Sequence, residues 1–231
     1  MSKWLFITFL LTSVLQNIQA QDAKALVNKV REKLEKVNDY EAMGTLKTDV
    51  AFLKVPESNV NIFFKKPDHF KIRKEGGISI MPKGGVSINL NSMLVTDDFT
   101  AVPAGNSTIG NSPVTVVKLI PLSDNSDVVL TTMYIDEKNL LIRKAITTTK
   151  ENGTYEMELT YGKYSEYGLP DKVVFVFNTK DYKIPKGVTF EYEEDQPQGQ
   201  NAAKTQNKKG RLEISYKSYT INKGISDSVF K

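Results

Sequence analysis

"VNIFFKKPDHFKIRK", residues 60–74, holds two short alternating runs separated by Lys65-Lys66-Pro67-Asp68. In the first run Val60, Ile62 and Phe64 point one way while Asn61 and Lys65 point the other. Beyond the break, Phe70 and Ile72 alternate with Lys71 and Arg73. The two runs read as short strands, each with one apolar face, broken at the Lys-Lys-Pro-Asp segment. The same texture recurs through most of the chain, so the fold is decided by what covers that face.

Only one stretch reads as a convincing helix. Residues 22–38, "DAKALVNKVREKLEKVN", place Leu26, Val27, Val30, Leu34 and Val37 on one stripe with Lys and Glu around the rest. Asp22 suits the positive end of the helix dipole, and Asn38 and Asp39 are expected to end the helix. After Tyr40 the pattern predicts strands near 41–53, 58–65, 69–74, 77–81, 93–103 and 114–121. More are expected near 128–135, 140–149, 154–164, 172–179, 187–192 and 212–220. "DEKN" at 136–139, "KENG" at 150–153 and "YGLPDK" at 167–172 read as turns between antiparallel neighbours. Residues 82–94 are less regular and are expected to form a loop or short helix. The polar stretch 193–210 reads as a flexible loop, because strand pattern resumes in "RLEISYKSYTINKGISDSVF". Residues 21–231 are therefore expected to form a single domain.

Leu46, Val50, Phe52, Val60, Ile62, Phe64, Phe70, Ile72, Met157, Leu159, Phe175, Phe177, Phe190, Leu212 and Ile214 are the inward candidates, with Tyr155 beside them. Each such side chain stabilises by roughly 1.5 to 3 kcal/mol when fully buried, so a whole wet face would forfeit tens of kcal/mol. A flat sheet of ten or more strands would need several helices, whereas a helix of about seventeen residues is only some 25 Å long. The sheet is therefore expected to curl around its helix as a mainly β, half-open antiparallel barrel. Periodicity leaves open whether the interior is a packed core or a lipid-sized cavity.

The 231 residues, 40% of them hydrophobic, suit a globular chain. At the N-terminus, Lys3, the apolar "WLFITFLLTSVL" and the polar "QNIQA" have the layout of a cleavable secretory signal, with the expected cut after Ala20. Domain 21–231 is then exported and soluble, with no integral membrane segment. Cysteine is absent, which removes disulfides, thiolate nucleophiles and Cys-ligated zinc. A formal charge of +4, with lysines scattered along strands, gives no nucleic-acid footprint. His69 is the one histidine, so neither a triad nor a His-based zinc site has visible partners, and a strand-edge role is expected. Asp97-Asp98 and Glu193-Glu194-Asp195 lack calcium-loop spacing, and "MPKGGVS" lacks that of a P-loop. No metal or cofactor is expected. Tyr155, Tyr161, Tyr164 and Tyr167 are expected in sheet packing and turn hydrogen bonds.

The helix at 22–38 and "IFFKKPDHFKIR" resemble the LolA-like outer-membrane lipoprotein-sorting proteins, which begin with a signal peptide and one helix. "MYIDEKNLLIRKAITTT" is similar to the family's Ile-Asp, turn, Leu-x-Arg hairpin, "YGKYSEYGLPDKVVFVF" to its Tyr-rich strand and Leu-Pro turn, and "INKGISDSVF" to its ending. The resemblance implies a non-enzymatic periplasmic carrier whose cavity holds the acyl chains of a lipoprotein or lipid. It also implies an inner-membrane ABC transporter as donor and an outer-membrane acceptor. An envelope sensor or adaptor that binds a protein partner on the same concave face is the alternative. One departure concerns the arginine of an early strand that ties down the helical lid in such carriers: no arginine lies between Arg31 and Arg73.

Overall fold

The architecture follows from a computed structural model, which describes residues 22–49, 57–74, 98–151, 153–178 and 209–230. A helix, α1, runs through 22–34. The strands are Asp39–Asp49 (β1), Ser58–Lys65 (β2), His69–Lys74 (β3), Phe99–Ile109 (β4), Ser112–Pro121 (β5), Val128–Asp136 (β6), Leu141–Thr149 (β7), Thr154–Thr160 (β8), Lys172–Asn178 (β9) and Lys209–Ile221 (β10). They form one sheet in the order β3-β2-β1-β10-β9-β8-β7-β6-β5-β4, with every neighbouring pair antiparallel. Consecutive strands are neighbours except β3 and β4, and the one non-consecutive pair is β10 with β1, where the chain returns. That return leaves β3 and β4 at opposite edges, unpaired with each other, so the barrel is not closed.

Period-two alternation separates the faces. On β8, Met157 and Leu159 are buried while Glu158 and Thr160 are exposed, and on β2 Val60, Ile62 and Phe64 are buried toward the same side. The outer face carries charge ladders instead: Lys144 between Glu156 and Glu158, and Glu213 between Lys172 and Arg211. Phe63 breaks the alternation, being buried on the outer side with the Arg73 guanidinium 5.6 Å from its ring centroid.

Three elements differ from the sequence expectation. The helix stops at residue 34 rather than 38, because its last turn tightens: the Lys36 and Val37 N–H groups bond to carbonyls three residues back. Strand β4 runs to Ile109 rather than ending near 103, since the chain bulges through "PAGNS" and continues as strand: the register shifts between Pro103 and Asn106, and Gly105 sits at φ 86°. Strand β8 ends at Thr160, after which Ser165–Tyr167 form a 3₁₀ turn closed by Gly168 at φ 69°. A Cβ on Gly168 would lie 2.7 Å from Leu34 Cδ2, so this turn packs tightly on the end of α1. The expected strands at 77–81 and 187–192, the loop at 82–94 and residues 193–208 of the expected loop 193–210 lie outside the described residues, while Lys209 and Gly210 are not loop but the start of β10, paired with Asn178 and Phe177.

Where α1 meets the sheet, Asn222 acts as a clamp. Its Oδ1 accepts the Asn38 N–H at 2.7 Å and its Nδ2 donates to the Lys36 carbonyl at 2.8 Å. Buried Asp39 in turn accepts the N–H groups of Lys223 and Gly224, each at 3.0 Å. The C-terminal segment continues across the outer face of β2 and β3, where Lys65 bonds Asp227, Arg73 donates to the Val229 carbonyl, and His69 meets the edge of Phe230. Replacing Asn222 by Gly keeps its left-handed backbone, at φ 55°, but removes the clamp. A loss of about 1 to 3 kcal/mol in urea denaturation is expected, whereas Ser226→Ala, in the exposed tail, should change the midpoint little.

Candidate ligand-binding face

All ten strands send apolar side chains to the inner face, where they gather into two clusters. The larger one joins Ala23, Leu26, Val27, Val30 and Leu34 of α1 to β4 through β9 and includes Met157, Leu159, Phe175 and Phe177. The smaller one holds Leu46, Val60, Ile62, Phe64, Ile72 and Ile214, with Val37 arriving from the turn after α1. Val37 thus leaves the helical stripe for the second cluster, because the helix ends before it. Phe70 packs partly against the smaller cluster and Leu212 against the larger. Val50, Phe52 and Phe190 lie outside the described residues. Every described member of the expected set is buried or partly buried, so a ligand reaching this wall has to displace its present cover.

The clusters meet at a tyrosine group that periodicity does not reveal. Tyr216 and Tyr219 are three apart, a spacing that puts strand residues on opposite faces. In β10, however, Tyr216 stands opposite Gly44 and Tyr219 opposite Ala42, because the register slips by the one extra residue Lys217. Both rings therefore turn inward over small partners and stack at 5.0 Å between centroids. Tyr40 and Tyr164 meet the Tyr219 ring edge-on at 5.3 and 4.9 Å, and Tyr40 also contacts Phe64. Tyr219 donates to the Pro170 carbonyl at 2.7 Å. Burial pushes the pKa of the Tyr40, Tyr216 and Tyr219 phenols well above the usual tyrosine range, so they are neutral donors. The expected tyrosines take packing and turn roles: Tyr155 lies 5.1 Å from Phe175, and the Tyr161 hydroxyl donates to the Ile142 carbonyl at 2.9 Å.

Polar contacts from α1 fix the helix against the sheet. Lys33 Nζ donates to the Asn139 carbonyl at 2.6 Å, and the Arg31 guanidinium lies 5.2 Å from the Phe99 ring. The turn that receives Lys33 is itself fixed by Asp136, which accepts Asn139 N–H and Nδ2 and Arg143 NH2 at 2.8 to 3.1 Å. Burial works to raise the Asp136 pKa, but the bonds from Asn139 and Arg143 outweigh it and hold the carboxyl below the usual range. This is the physical content of the Ile-Asp, Leu-x-Arg pattern.

His69 opens edge strand β3 with its side chain half exposed, 3.7 Å from Asp68. Among the described residues no group of three or more His, Cys, Asp or Glu could hold a metal, and no helix is long and apolar enough to cross a membrane. A groove of about 350 Å³ involves Ile146, Thr154, Tyr155, Glu156, Val176, Phe177, Asn178 and Lys209. Ile146, Glu156 and Val176 stand opposite one another on the face away from Met157 and Phe175, so this groove belongs mainly to the outside of the sheet. Exposed Val102, Ile120 and Leu122 mark another outer patch, near β4 and β5.

No protein-family model and no curated protein sequence matches the chain. Solved structures do. A domain named for outer-membrane lipoprotein sorting, from Vibrio parahaemolyticus, superposes with a TM-score of 0.57 at 8% identity, covering 91% of this chain and 97% of its own. A DUF1329 family protein from Desulfovibrio piger gives 0.57 at 9% identity, covering 92% of this chain and 97% of its own. A LolA superfamily protein from Nitrosomonas europaea gives 0.52 at 10% identity, covering 90% and 97%. At such identities the likeness is one of fold: the chain adopts the LolA-like half-open barrel.

The bulge that aims Tyr216 inward depends on Gly44, where a Cβ would lie 2.5 Å from the Ser215 carbonyl oxygen. Gly44→Ala should cost roughly 2 kcal/mol or more through this backbone clash, within the range for strain at special sites. Thermal unfolding should show it, and near-ultraviolet circular dichroism should show altered tyrosine packing.

Proposed function

We propose that the protein is a periplasmic carrier that shields the acyl chains of a lipoprotein or lipid against the inner face of its half-open barrel. The observation that carries this reading is the mismatch of face and cover. Ten strands contribute apolar side chains to one wall, and α1, the one helix longer than a single turn among the described residues, packs on only the β4 to β9 part of it. An acyl chain entering from an unpaired edge, at β3 or β4, would meet continuous hydrocarbon. Each buried CH₂ contributes about 0.8 kcal/mol, enough over a long chain to offset displacement of part of the present cover. The lipoprotein-sorting name of the Vibrio structure supports the same reading.

In this role no side chain acts chemically, and no cofactor takes part. Phe64, Ile72, Met157, Phe175 and Ile214 supply wall, while Leu26, Val27, Val30 and Leu34 of α1 supply the part that yields. Passage from an inner-membrane ABC transporter to an outer-membrane acceptor would proceed down a gradient of affinities, since a soluble carrier has no energy source of its own.

Delipidated protein titrated with an acylated peptide and its unacylated counterpart tests the proposal. Saturable binding of the acylated form alone is expected. Equal binding of both peptides would instead favour an adaptor that reads a protein partner on the same face, and binding of neither would overturn the carrier reading.

A further inference from the structure

We propose that the outer strip around Ile120 and Leu122 is a self-association surface, on which a second copy of this chain docks across a two-fold axis. The inference is independent of the carrier reading.

Val102, Ile120 and Leu122 are 38, 43 and 61% exposed. On β5 the alternation that buries Val117 and Leu119 in the inner cluster turns Lys118, Ile120 and Leu122 to the outside. Pairing brings Val102 of β4 opposite Lys118, and the Leu122 N–H donates to the Asp98 carbonyl, which carries the hairpin one step past Pro121. Each of these branched side chains leaves apolar area in water that a covering surface would recover. Farther along the outer face the charges are matched within the chain, Lys144 with Glu156 and Lys172 with Glu213. Lys118 instead has Val102 and Thr132 as cross-strand neighbours. Neither Lys118 nor exposed Asp124 belongs to an ion pair among the described residues.

The order of these residues along the chain points to the occupant. Lys118, Ile120, Leu122 and Asp124 run as a cation, two apolar residues and an anion, with Pro121 at the centre. A two-fold axis between facing copies, level with Pro121, sets Ile120 on the partner's Leu122 and Lys118 against the partner's Asp124, and symmetry repeats both contacts. A strip that is basic at one end and acidic at the other is complementary to its own reverse. Strand β4 beside it, "FTAVPAGNSTI", carries no charge that would repel a like copy. So small an apolar area per copy is too little for a permanent dimer, and the association belongs to the weak, reversible class.

Sedimentation velocity of the purified protein from about 5 µM to about 1 mM spans that class. A reversible shift from monomer to dimer is expected. Lys118→Glu and Asp124→Lys should each weaken it roughly tenfold, because either change turns two attractions into two repulsions. The double variant restores opposite charges across the axis and should recover most of the native affinity, a readout that a folding defect cannot produce. Leu122→Ser should weaken the dimer by a similar factor without moving the thermal midpoint of the monomer. A monomer at every concentration, a dimer that ignores Leu122→Ser, or charge reversals whose effects add instead of cancelling would overturn the proposal. A protein that stays monomeric but binds phosphatidylcholine vesicles through Leu122 would assign the strip to a membrane instead.

Discussion

One constraint governs this molecule: a ten-stranded antiparallel sheet with an apolar face must hide that face, and its longest helix in the described residues covers only part of it. Curling lets the strands bury their side chains against one another as well as against α1. The order of strands follows from the same need. Bringing β10 back beside β1 places the start and the end of the β region side by side within the sheet and leaves β3 and β4 at its two edges among the described residues.

The helix is held mainly by its apolar stripe, while Lys33 on the Asn139 carbonyl and Leu34 against Gly168 fix its position. Asn222 and Asp39 anchor the chain just after the helix, at Lys36, Asn38, Lys223 and Gly224. The arginine latch implied by the family resemblance is absent, and the polar tether starts from the helix instead of from a strand.

How much of this was legible depended on whether a feature kept its period. The stripe Leu26, Val27, Val30 and Leu34 and the alternation of Val60, Ile62 and Phe64 are regular, and both end up buried as the spacing implies. Bulges are irregular by nature. Gly105 made β4 look finished six residues early, and Lys217 hid the pairing of Tyr216 with Tyr219, so the junction of the two clusters could not be read from spacing. The clamp at Asn222 left a weak trace in "INKG", a residue type tolerant of left-handed backbone followed by glycine. Phe63 escaped because a guanidinium, not a core, covers it.

Photo-cross-linking with a diazirine-bearing acyl chain, followed by peptide mapping, puts the central claim to its most direct test. The account predicts adducts on inner-face residues such as Phe64, Met157 and Phe175, suppressed by excess unlabelled acylated peptide. Adducts confined to the outer groove beside Ile146 and Val176, or to the patch of Val102, Ile120 and Leu122, would contradict it.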